Sequence, residues 1–178
     1  TINGRSVSGS TVLVGNAGRD LHLTSLGLQG NEARVAGSHV QRDAVQGETR
    51  THGFFYRASA QDDGVIGLPV LSAATGQRGR RSESASVLFL RNRALNLAAV
   101  GELKSSPSRS TRDDQCQASC VDWYGNARPI FLGDRVFALL GYELLEGRRA
   151  WRGWPGEKLE ELRRVSFAPQ PSSVWGRD

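Results

Sequence analysis

The sequence predicts an all-β fold of antiparallel four-stranded units, and three observations lead there. Short runs rich in Val, Leu, Phe and Tyr are separated by clusters of Gly, Asn, Asp and Ser, as strands are separated by turns. Turn chemistry favours local antiparallel pairing, because Gly133-Asp134 stands between two apolar runs as a two-residue hairpin and Asp63-Gly64 opens another run. Helical periodicity is nearly missing. Its one instance is EKLEELRRV at residues 157–165, where Leu159, Leu162 and Val165 recur every third residue among Glu and Arg, a composition that favours helix.

Taken in chain order, the predicted strands are STVLVG (10–15), RDLHLTSL (19–26), ARVAGSHV (33–40), THGFFYR (51–57), GVIGLPVL (64–71), ASVLFL (85–90), LNLAAVGEL (95–103), RPIFL (128–132), RVFALL (135–140), YELLE (142–146) and ELRRVSF (161–167). A faint repeat runs through them. VAGSHV from Val35, LAAVGEL from Leu97 and LRRVSF from Leu162 each follow an apolar strand and a polar turn. Between these markers the strands fall into sets of four: FFYR, VIGLPVL, VLFLR and LNLAAVGEL, then RPIFL, RVFALL, YELLE and ELRRVSF. Four antiparallel strands repeated radially are the pattern of β-propeller blades. The chain therefore divides into a partial blade (10–48), a blade (49–103), an inserted loop (104–127), a second blade (128–168) and a tail (169–178).

Composition narrows the function classes. At 178 residues, with 38% hydrophobic and 23% charged residues and 21 Gly, the chain has the make-up of one turn-rich globular unit. No window approaches the ~18 consecutive apolar residues of a membrane helix, and the opening TINGRSVSGS, without Met or an apolar signal region, fits a mature or trimmed product. The net charge of +5 would permit an acidic partner. Its carriers, nearly all Arg, are dispersed, and the densest clusters (Arg78, Arg80 and Arg81, then Arg148, Arg149 and Arg152) lack the interleaved aromatics on which bases stack, so no nucleic-acid partner is expected. The two cysteines, Cys116 and Cys120 in CQASC, predict a local disulfide and with it an oxidising compartment: secreted, periplasmic or at the cell surface. Zinc would need further ligands nearby, and His22, His39 and His52 are remote from the cysteines and from one another.

The strand motifs also carry a family resemblance. THGFFYR, DGVIGLPVL, SASVLFLRNRALNLAAVGEL, RPIFLGDRVFALLGYEL and LEELRRVSF, in this order, resemble the C-terminal part of the secreted bacterial β-propeller domain family. In that family an aromatic strand, an apolar strand, a strand-turn-strand ending in a Gly-Glu-Leu type motif and an Ile-Gly-Asp hairpin recur; here the hairpin reads Leu132-Gly133-Asp134. RDLHLTSLGLQGNEARVAGSHV looks like the outer strands of a preceding blade, so the likeness covers roughly Thr11 to Phe167. The resemblance implies the last two to three blades of a propeller. A closed propeller needs at least four, so the rest would come from other polypeptide. The insertion KSSPSRSTRDDQCQASCVDWYGN lies outside the family pattern.

No nucleophile elbow, zinc-protease pair, phosphate loop or dinucleotide fingerprint occurs. The candidate sites are therefore recognition surfaces. Trp123, Tyr124 and Arg128, on or beside the disulfide-braced loop, suit partner recognition or serve as caps between blades. Trp151 and Trp154 in RRAWRGWPGEK form either a partner or sugar platform or a hinge packed on its own rings. Asp62-Asp63 and Asp113-Asp114 read as surface turns rather than calcium loops, so neither a metal nor another cofactor is expected. The expected function is a non-enzymatic exported binding or scaffold module, with a protein partner, the remaining blades or a larger exported complex as its company. The opposing expectation is an enzyme in which His52, Asp122 or Asp134 does acid-base or metal chemistry in a propeller channel completed by further blades.

Overall fold

The structure is a computed structural model and describes residues 2–7, 9–47, 53–60, 62–73, 83–105, 127–150 and 156–167. Within them the alternating apolar and turn residues become strands, and no α-helix occurs. The first sheet is β1 (Ile2–Val7), β2 (Ser10–Ala17), β3 (Asp20–Gln29) and β4 (Glu32–Gln41) in that order. The middle sheet contains β5 (Ala44–Gln46), β6 (Phe55–Ala60), β7 (Asp63–Ala73), β8 (Glu83–Arg93) and β9 (Asn96–Lys104). The third is β10 (Ala127–Leu132), β11 (Arg135–Leu140), β12 (Glu143–Ala150) and β13 (Lys158–Ser166). Every pairing is antiparallel, in agreement with the predicted fold class. Two-residue hairpins set the register: Leu132 faces Arg135 across the predicted Gly133-Asp134 turn, as Ala17 faces Asp20 and Arg93 faces Asn96.

Two local readings change, while the strand predicted at 161–167 is present as β13 from Lys158. Its helical rival over 157–165 loses because pairing with β12 and partial burial of Leu159 outweigh the helix propensity of Glu and Arg; Leu162 and Val165, the rest of the helical stripe, are exposed. The first unit is a full sheet, since Ile2–Val7, short of apolar residues, is recruited by hydrogen bonding to β2. Ala44–Gln46 is a strand of the middle sheet.

That short strand shares one edge of β7 with β6. Gln46 faces Val70 and Phe55 faces Gly67, so the ladder along this edge of β7 is interrupted between Gly67 and Val70. The cause lies at Pro69. Its carbonyl accepts from the Gly47 N–H at 3.0 Å, so this edge of the strand is also the one on which the proline nitrogen has no hydrogen to offer. The ladder breaks there, and Phe54, 4% exposed, returns the chain to the core.

The middle sheet lies between the other two. Ile66, Leu68, Leu88 and Leu90 point one way and pack with Val12, Val14, Leu21 and Leu23 of the first sheet. Val65, Val87, Phe89 and Leu103 point the other way and pack with Val136, Ala138, Leu140 and Leu145 of the third. This is why VIGLPVL and VLFL are unbroken apolar runs: both pleats of β7 and β8 are buried, whereas β2 alternates. Each such buried side chain contributes about 1.5–3 kcal/mol. Phe89 meets Phe131 edge to face, centroids 6.2 Å apart, across the second junction.

The fourth strands are also tied together. A Cβ on Gly37 of β4 would lie 2.5 Å from the Leu95 carbonyl oxygen and 3.2 Å from Asn96 Cα, so only glycine lets the β8–β9 turn approach. Gly101 of β9, at φ +154°, leaves room for Leu159 of β13. Arg164 of β13 donates to the Lys104 carbonyl of β9 at 3.0 Å and to the buried Glu143 carboxylate at 2.9 Å. Hydrogen bonding to Glu161 foremost holds its pKa above the ordinary guanidinium value.

One irregularity recurs in all three sheets. The register slips by one residue between the third and fourth strands, after the pairs Ser25–Gly37, Phe89–Gly101 and Glu146–Arg163, leaving Ala36, Val100 and Leu162 as the bulged residues. The bulged residues fall within the sequence markers VAGSHV, LAAVGEL and LRRVSF, at their second, fourth and first positions, so bulge and repeat share a region and not a register.

Candidate binding surface

Period-two alternation divides the third sheet into two unlike faces. Ala127, Val136, Ala138, Leu140 and Leu145 turn inward to the middle sheet. The opposite pleat carries two cross-strand rows. Arg128, Leu139, Leu144 and Val165 form one; Ile130, Phe137, Glu146 and Arg163 form the other. Phe137, Leu139 and Leu144 are half-buried, Ile130 and Val165 are 39% and 49% exposed, and Leu132 at the hairpin is 61% exposed. Among the described residues no sheet packs on this pleat.

Its charges are organised around the apolar rows. The Arg135 guanidinium lies 4.8 Å from the Phe137 ring centroid and its Nε donates to Glu146 Oε1 at 2.8 Å. That hydrogen bond holds the Glu146 carboxyl below the usual carboxylate range and raises Arg135 in turn. Arg148 reaches Glu160 at 3.6 Å. The face therefore has an apolar centre crossed by one ion pair, with Arg128 and Arg163 at opposite ends of the two rows.

Of the predicted recognition residues, Arg128 stands on this pleat, exposed, at the end of the Leu139–Leu144 row. Trp123, Tyr124, Trp151, Trp154, Cys116, Cys120, His52 and Asp122 lie outside the described residues. Asp134 is exposed in the β10–β11 hairpin. Phe137, Leu139 and Leu144 escape a reading that looks for polar or aromatic loops, because RVFALL and YELLE read as core strands. A signal for them exists, since RVFALL is apolar on both pleats, as VLFL is in the doubly buried β8.

A polar cluster at the other junction has a structural use. Asp62 accepts from the Ser10 hydroxyl at 2.8 Å, joining the β6–β7 turn to β2, and Asp63 pairs with Arg91 at 2.7 Å. The turn expected at Asp62-Asp63 is present, with its carboxylates committed to these partners. Buried Ser25 donates to the Leu95 carbonyl, and Asn92 donates to the Tyr56 hydroxyl at 3.3 Å. Burial pushes the Tyr56 phenol above its ordinary value. No three His, Cys, Asp or Glu side chains of the described residues gather as metal ligands, and no described helix is long and apolar enough to cross a membrane.

No family model, curated protein or solved structure matches this chain.

Proposed function

We propose that the chain is a stretch of consecutive β-propeller-type blades that acts, without catalysis, as an exported binding and scaffold module. One observation carries this reading: the outward pleat of the third sheet is apolar at Phe137, Leu139 and Leu144, while the corresponding pleats of the other two sheets are covered by their neighbours. Two four-stranded meanders packed on either side of a five-stranded sheet, the shared bulge and the propeller-like strand motifs support blades as the repeating unit. The CQASC pair supports export. Arg128 joins the contact directly, and Trp123, Tyr124, Trp151 and Trp154 are its loop-borne aromatics in this reading.

The experiment is native mass spectrometry of the protein isolated from its source, beside the variant Leu139→Arg/Leu144→Arg. The expected particle is heavier than the 19.3 kDa chain, and the double variant keeps the circular dichroism of the parent while losing the added mass. A particle of one chain alone, with both variants alike, sinks the proposal.

A further inference from the structure

We infer that the outward pleat of the third sheet receives a second copy of this chain, which docks through the outer pleat of its own first sheet. The inference rests on the reading of the chain as stacked blades. The shared bulge puts the three sheets in common register, with Ser25, Phe89 and Glu146 at equivalent positions. In that register Leu23 and Val14 of the first sheet, and Val87 and Pro69 of the middle one, correspond to Leu144 and Leu139 of the third. The first four are covered by the sheet that follows in the chain, whereas no described sheet follows the third.

The covering surface is also of one kind. The middle sheet covers the first with Leu68 and Leu88, and the third covers the middle with Ala138 and Leu145. Their register equivalents in the first sheet are Leu13 and Thr24, on the pleat facing away from the middle sheet. Among the described residues the chain thus has one face of the receiving kind and one of the covering kind on which no described sheet packs. Mating them between copies repeats a junction that the chain already makes twice within itself, and the contact is heterologous, leading to a ring or an open stack according to the angle.

Sedimentation velocity on the recombinant full chain tests this, with Leu144→Arg blocking the receiving face and Leu13→Arg blocking the covering face. The wild type is expected to sediment as multiples of the chain as concentration rises. Each variant alone stays a single chain with unchanged circular dichroism, and an equimolar mixture regains a one-to-one pair. Leu144→Gln and Thr24→Lys serve in the same design if an arginine variant fails to fold. A wild type that remains a single chain at every concentration overturns the inference; if source material nevertheless carries a different polypeptide, the binding role survives and only the second copy falls. Self-association of the Leu13→Arg variant alone overturns it as well, since two receiving faces would then be meeting each other.

Discussion

At the scale of single residues, the junction between the first and middle sheets is set by groups that tolerate little change. Ala94 and Leu95 both sit at positive φ, 47° and 66°, a conformation costing about 1 kcal/mol or more for a residue with a Cβ. What holds them there is the Leu95 carbonyl, which receives the buried Ser25 hydroxyl in the space left by Gly37. Close by, the Tyr56 ring lies over Gly64 and its hydroxyl accepts from Asn92. Burial raises the Tyr56 pKa more than the Asn92 hydrogen bond lowers it. The unfolded chain, with a phenol near pH 10, therefore ionises first. The stability tied to this group is complete below about pH 10 and is lost as pH climbs through the higher folded value. Urea midpoints measured at pH 9 and pH 11 are expected to fall further for wild type than for Tyr56→Phe. Equal falls would remove Tyr56 as the cause.

At the scale of elements, β13 is where local preference and tertiary context compete. Its helical stripe of Leu159, Leu162 and Val165 is split by the strand: Leu159 fits against Gly101 and Gly147, while Leu162 is the bulged residue, 49% exposed. Leu159→Ala should therefore cost about 2–3 kcal/mol, near the low end for a core leucine because the site is only partly buried, and Leu162→Ala within about 0.5 kcal/mol of zero. Denaturant unfolding followed by circular dichroism measures both, and comparable losses would speak for a helical stripe. The same competition governs what could be read beforehand. Strands with alternating pattern or unbroken apolar runs, β2, β7, β8 and β11 among them, announce themselves because burial fixes their side chains. INGRSV and AVQ do not, because backbone hydrogen bonds to an edge recruit them and leave no periodicity behind. The outward pleat of the third sheet was only half legible for a related reason: Arg128 stands out as a charge, while Phe137, Leu139 and Leu144 look like core although no described sheet packs on them.

At the scale of the whole molecule, the middle sheet is common to both hydrophobic clusters and the outer sheets each belong to one. Stability should then be unevenly distributed, with opening of an outer sheet cheaper than opening of the middle one. Leu21→Ala and Leu88→Ala make the comparison fair, since both side chains are at most 2% exposed and both lie in the cluster between the first and middle sheets. Each should cost about 2–5 kcal/mol. The difference lies in what the cost releases. Leu21 belongs to β3, so its cavity weakens the attachment of the first sheet and should speed amide exchange in β2 to β4 while leaving β11 and β12 near their parent rates. Leu88 belongs to β8, whose opposite pleat, through Val87 and Phe89, supports the third sheet. Its cavity should raise exchange in all three sheets by a similar factor, because β8 cannot open without releasing both junctions. Hydrogen exchange read by mass spectrometry resolves these patterns peptide by peptide. If Leu21→Ala also accelerates β11 and β12 as much as β2, the three sheets open as one unit, and the outer sheets cannot be the separately opening ends that stacking through a central sheet requires.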